Sequence, residues 1–143
     1  MSMKWFVYCL RNATNFKGRA SRTEYWWFYF VATAVTLCLI LLGSSVLALA
    51  LQSIWGLGMM LPHLAVASRR MHDTGHSFWW FSGLLAAWIP FALFAGMHDV
   101  DATAIGLYGL ALVPYAVFLI YLLCKRGDSG ANRYGPPAPT SPT

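Results

Sequence analysis

Charge is what this chain has least of. Only 10% of its 143 residues are Asp, Glu, Lys or Arg, against about a quarter in an ordinary soluble domain. With 58% hydrophobic and 16% aromatic residues, the apolar surface exceeds what one small core can bury, so the excess has to face lipid. Cysteine is scarce too. Cys9, Cys38 and Cys124 lie far apart without a Cys-x-x-Cys pair, which argues against a disulfide framework and a zinc ribbon. Neither a Gly-x-Ser-x-Gly elbow nor a Ser-x-x-Lys pair accompanies Ser21, Ser77 or Ser129, so acyl transfer is not indicated. Acids are half as frequent as bases, five against ten, giving a net charge of +5. That surplus favours anionic headgroups or an acidic partner over nucleic acid.

What is present is a row of apolar segments separated by short polar ones. Trp5, Phe6, Tyr8, Cys9 and Leu10 form a cluster too short to span. It suits a short helix lying in the headgroup layer, or one packed on the rest of the bundle. Ser21-Arg22-Thr23-Glu24 fits a capping box and starts a helix near Arg22. Tyr25 to Phe30 then supplies interfacial rings, and no charge recurs until Arg69. That uncharged stretch is long enough for two crossings of roughly 20 residues. Gln52-Ser53 with Trp55, Gly56 and Gly58 is the first choice for the turn between them, and Gly43-Ser44-Ser45 the second. Ala48-Leu49-Ala50 imitates a signal-peptide cleavage site, but the apolar run before it is longer than a signal h-region, so it is expected to stay uncleaved.

The expected fold is an all-α membrane protein with four transmembrane helices as two hairpins and an N-terminal interfacial helix. The spans fall at about 27–50, 54–69, 79–97 and 103–124 of a single domain covering 1–135. Pro62, Pro90 and Pro114 lie within spans, His98 to Asp101 makes an acidic loop, and Asp101 is placed to cap the fourth span. The proline-rich residues 136–143 are expected to be disordered. All ten Lys and Arg fall in the N-terminal region, the hinge after the second span and the C-terminal segment. The positive-inside rule therefore puts both termini and the hinge in the cytoplasm. Tyr25-Trp26-Trp27-Phe28 recurs as Phe78-Trp79-Trp80-Phe81, and Leu61-Pro62 as Val113-Pro114. Such offsets suit either a parallel internal repeat or convergence under shared membrane chemistry.

Three motifs in order, Phe16-Lys17-Gly18-Arg19-Ala20-Ser21-Arg22-Thr23-Glu24-Tyr25-Trp26, Arg69-Arg70-Met71-His72-Asp73-Thr74-Gly75 and Asn132-Arg133-Tyr134-Gly135, span nearly the whole chain. With them the sequence resembles the DUF805 family of small bacterial inner-membrane proteins. In that family a basic residue, a serine and a glycine usually follow the central motif; here His76 and Phe78 replace the first and third. The resemblance implies a multi-pass protein of the bacterial inner membrane. It implies no reaction, because the family name denotes a domain of unknown function.

The candidate site is the stretch from Ser68 to Trp80, the densest group of ionisable side chains. His72, Asp73 and His76 offer metal ligands, but the two histidines share a face only on an unbroken helix, which Gly75 opposes. No metal or cofactor is expected. The electrostatic reading fits better. Ser21, Glu24, Arg70, His72, Asp73 and Asp128 are expected to form a cytoplasmic polar clamp, with Arg22 or Arg70 paired to Asp73. Arg19, Arg22, Arg69, Arg70, Lys125, Arg126 and Arg133 are expected to bind anionic lipid or an acidic partner. His63 is an intramembrane polar residue, expected neutral and hydrogen-bonded to another helix. The function expected is non-enzymatic: a scaffold, accessory or regulatory subunit contacting anionic lipid, a protein partner or a second copy. The alternative is a small oligomeric channel or transporter whose broken helices line a path past His63.

Overall fold

Helix signals and apolar runs produce five helices in the computed structural model, which describes residues 2–95 and 101–141. They are α1 (Ser2–Arg11), α2 (Arg22–Ile40), α3 (Val46–Asp73), α4 (Trp79–Ala95) and α5 (Ala102–Cys124). Among the described residues there is no strand, only an isolated bridge between Asn132 and Gly135. Among the described residues three helices, α2, α3 and α5, are long and apolar enough to cross a membrane. The 17 residues assigned to α4 carry no charge. Met97, where the third span was expected to end, and the loop residues His98 and Asp99 lie outside the described residues.

The start of α2 follows its capping signal, with Ser21 Oγ accepting the Glu24 N–H at 3.1 Å. Asp101 caps α5 likewise, its Oδ1 accepting the Thr103 N–H at 3.0 Å. The turn between α2 and α3 is corrected by the structure. The chain reverses at 41–45, where Gly43 takes a φ of +82° that a side chain would resist. There Ser45 caps α3 by accepting the Ala48 N–H at 3.2 Å. Gln52 lies inside α3 and reaches back, donating Nε2 to the carbonyls of Leu39 at 3.1 Å and Gly43 at 3.3 Å. The polar side chain expected to form the turn instead bonds two carbonyls at the turn from within α3. The first two spans expected at 27–50 and 54–69 are thus helices over 22–40 and 46–73.

At 28 residues and about 1.5 Å of rise each, α3 is about 42 Å long and outreaches a hydrocarbon core of about 30 Å. Its polar end, from Ser68 to Asp73, is therefore helix where a hinge was expected, and the connection to α4 shrinks to residues 74–78. Gly75, with φ +76°, closes α3 in a Schellman motif: the His76 N–H reaches the Met71 carbonyl at 3.0 Å and the Gly75 N–H that of His72 at 3.1 Å.

Packing is concentrated at this same end of the molecule. Cys9, Tyr25, Phe28, Val66, Met71, Leu119 and Leu122 join one buried cluster, so α1, the start of α2 and the ends of α3 and α5 converge there. The first helix packs on the others: Trp5 and Cys9 are buried, and Phe6 stacks on Phe28 at 5.3 Å. Along α2, α3 and α5 large apolar side chains are exposed, from Ile40 and Leu47 to Leu107 and Ile120. This is the distribution that a lipid solvent permits and water penalises.

Candidate functional site

The polar end of α3 places Arg69, Arg70 and Asp73 in a buried network rather than on an open surface. Asp73 is held from two sides. Its Oδ1 accepts from Arg19 Nε at 2.9 Å and lies 2.9 Å from Nη2, and its Oδ2 pairs with Arg70 Nη1. A carboxylate at a helix C-terminus faces the unfavourable end of the macrodipole, and two guanidinium groups offset this. Arg70 continues to the end of α5, donating Nε to the Leu123 carbonyl at 2.9 Å and Nη2 to that of Lys125. These are among the carbonyls a terminating helix leaves unpaired. Arg19 also gathers the segment after α5, donating to the carbonyls of Gly130 at 2.6 Å and of Asp128.

The chain after α5 therefore folds back as a strap over the end of α3. The Asp128 N–H bonds the Asp73 carbonyl at 2.9 Å. Asn132 donates Nδ2 to the His72 carbonyl at 3.0 Å and to Asp128 Oδ2 at 2.8 Å. The His72 ring stacks on Tyr134 at 3.9 Å and 9°, with Nδ1 3.2 Å from the Gly18 carbonyl. Arg133 covers the outer face of Tyr134 at 4.7 Å and donates to the Gly75 carbonyl at 3.0 Å. Close packing leaves no room at Gly127, where a Cβ would overlap the Asp73 carboxylate.

A second buried ion pair lies deeper. Arg69 Nη1 meets Glu24 Oε1 at 2.8 Å, and the Cys9 thiol donates to the same oxygen at 3.7 Å. The Arg69 guanidinium lies 5.9 Å from the Tyr8 ring centre. Among the described residues, Glu24 Oε2 and Arg69 Nε and Nη2 are buried without a hydrogen bond of standard geometry. The pair is thus incompletely compensated for its loss of water. Burial first, then the negative charge of Glu24, pushes the Cys9 thiol up to about 12.

These contacts revise the expected roles. Arg19, Arg69 and Arg70 are buried and paired, so three of the seven candidates for lipid or partner contact belong to the network. Arg22, Lys125, Arg126 and Arg133 remain exposed. Of the expected clamp, Arg70 pairs with Asp73 and the Asp128 N–H bonds the Asp73 carbonyl, while the His72 ring stacks on Tyr134, Ser21 caps α2 and Glu24 serves Arg69. His76 lies beyond the helix with Nδ1 2.7 Å from the Thr74 carbonyl. Among the described residues no three His, Cys, Asp or Glu side chains group to hold a metal. His63 bonds within its own helix, Nδ1 to the Met59 carbonyl at 2.8 Å, and touches α2 through an edge contact with Phe28 at 4.9 Å. The expected bond to another helix is not what the ring makes. Sequence reasoning missed Cys9, Tyr8 and Tyr134. Only Tyr134 carried a signal, its place in the Asn132-Arg133-Tyr134-Gly135 motif.

The family model described as protein of unknown function (DUF805) matches residues 13–136, which covers every segment of the network except α1. The chain is similar to the inner membrane protein YhaH of Escherichia coli K12, 33% identical over 146 residues with 94% of this chain and 95% of YhaH covered. It is similar to the inner membrane protein YhaI of the same strain, 32% identical over 136 residues with 93% of each chain covered. A third relative there is the uncharacterized protein YiiR, 28% identical over 123 residues with 85% and 84% covered. No solved structure matches.

Proposed function

Because the chain belongs to the DUF805 family and its relatives include inner membrane proteins, we propose that it is a non-enzymatic, multi-pass scaffold or accessory subunit of the bacterial inner membrane. In this reading α2 to α5 make four crossings as two hairpins, and both termini and the 74–78 connection are cytoplasmic. The observation that carries it is the junction at Asp73. Asp73 ties the loop before α2, the end of α3 and the strap after α5: its carboxylate holds Arg19 and Arg70, and its backbone carbonyl accepts the Asp128 N–H. Such a junction joins the hairpins at one end, and its ionisable groups face one another rather than a cavity. All ten cations lie at that end of the sequence pattern, as the positive-inside rule requires of a cytoplasmic face. The seven cations outside the three buried arginines make no ion pair among the described residues. Those on the strap and at the start of α2 meet anionic headgroups or an acidic partner.

The channel reading draws on the cavity of about 530 Å³ between α2 and α3 that reaches His63. Its walls are largely apolar, with Leu39, Trp55, Met59 and Leu64 among them, which favours a lipid-filled groove over an aqueous path.

Two experiments test the proposal. Green fluorescent protein fused at the C-terminus should fluoresce and alkaline phosphatase fused there should be inactive; the reverse result overturns the orientation. Native mass spectrometry should show the protein's preference for phosphatidylglycerol over phosphatidylcholine lost when Arg22, Lys125, Arg126 and Arg133 are all changed to Gln. An unchanged preference overturns lipid contact by the basic face.

A further inference from the structure

The cations left over by the buried network are unevenly placed. Arg22 stands at the first turn of α2, where the start of α2 and the end of α5 diverge to leave a cleft of about 700 Å³. Arg22, Thr23, Trp26, Trp27, Phe30 and Cys124 line it, and Lys125 and Arg126 follow directly on Cys124. No carboxylate pairs with Arg22 among the described residues, and its one hydrogen bond, to the Cys124 carbonyl, is long at 3.5 Å. The guanidinium therefore keeps most of its donors for something else.

Below it the cleft changes character. Arg22, Trp26 and Phe30 are spaced four apart and rise along one face of α2 by about 6 Å per step. Trp26 and Phe30 stack at 5.6 Å, and Phe30 and Trp27 are 59% and 43% exposed. The lining thus has a cation and a hydroxyl at one end and an aromatic wall beneath. A free phosphate would satisfy the upper end and leave the rings uncovered. A zwitterionic lipid would bring an ammonium close to Arg22. An anionic glycerophospholipid fits both ends.

We propose that the cleft between the start of α2 and the end of α5 is a binding site for one anionic glycerophospholipid, with the phosphate on Arg22 and Thr23 and an acyl chain along Trp26, Trp27 and Phe30. This deepens the reading of the basic face as a lipid-contacting surface and rests on it. The site also carries its own reporter: the Cys124 thiol lines the cleft and is exposed, whereas Cys9 is buried.

The test uses the full chain in mild detergent with Cys38 changed to Ser, following maleimide labelling of Cys124 as lipid is added. Phosphatidylglycerol should slow labelling, while phosphatidylcholine and inorganic phosphate at the same concentration should not. Arg22→Gln should weaken that protection at least about tenfold, as loss of a charge-assisted contact implies, and Arg22→Lys should restore part of it. Undiminished protection in Arg22→Gln overturns the site, and so does equal protection by inorganic phosphate, which would make the occupant a phosphate rather than a lipid. The variant with Arg22, Lys125, Arg126 and Arg133 all changed to Gln separates the two levels. If it loses its phosphatidylglycerol preference while Arg22→Gln keeps both preference and protection, only the cleft is wrong; if it keeps the preference, the basic-face reading fails as well.

Discussion

Arg19 and Asp73 stand 54 residues apart in the chain and meet at 2.9 Å with both side chains buried. Around that pair the loop before α2, the end of α3 and the strap after α5 are held in one arrangement. Buried ion pairs are weak evidence for stability, since hydrophobic replacements of equal volume often do as well. Their removal one partner at a time is another matter, because it strands a charge away from water.

Asp73→Asn therefore leaves Arg19 and Arg70 buried without a counter-ion. The expected loss is about 3–5 kcal/mol, measured as a lower unfolding midpoint in detergent. Limited proteolysis should at the same time open the strap near Asn132. An unchanged midpoint with an intact strap would show that the carbonyl bonds of Arg19 and Arg70 suffice alone.

Gly127→Ala and Gly130→Ala should separate cleanly although they lie three residues apart. At Gly127 the new methyl overlaps the Asp73 carboxylate, while at Gly130 it meets nothing within 4 Å. Overpacking at the first site should cost about 1–3 kcal/mol. The second should shift the unfolding midpoint little, and equal effects at the two would contradict the close approach of strap and α3.

Gly75→Ala tests the end of α3. The position holds φ +76°, where an L-residue costs about 1–2 kcal/mol. The substitution should lower the midpoint by that amount and weaken hydrogen-exchange protection of the His76 amide, which bonds the Met71 carbonyl at 3.0 Å.

Cys9 should resist maleimide in the folded protein while Cys124 reacts. Its thiol is pushed up to about 12 from an ordinary value near 9. The sign follows from linkage: the folded state holds this proton more tightly than the unfolded state. The stabilisation is therefore whole below about pH 9 and is lost as pH rises towards about 12. Cys9→Ser should flatten that alkaline decline relative to the wild type, and an identical decline in both would contradict it.

The sequence by itself determined the membrane class, two helix starts and the break at Gly75, but not that the helix before that break runs on to Asp73. The first three are local or additive properties. Apolar excess needs only composition, Ser21 and Asp101 cap helices that begin beside them, and Gly75 meets a backbone demand at its own position. Tertiary structure decided which arginines stay exposed and which are buried. The same residue type serves Asp73 at position 19 and lines an open cleft at position 22. Only the docking of segments more than fifty residues apart removes one from solvent and leaves the other in it. The turn at Gly43 was decided in the same way. Gln52 marks a turn by polarity alone, but in the fold it reaches back from α3 to the carbonyls of Leu39 and Gly43, a contact that exists only once the two helices pack.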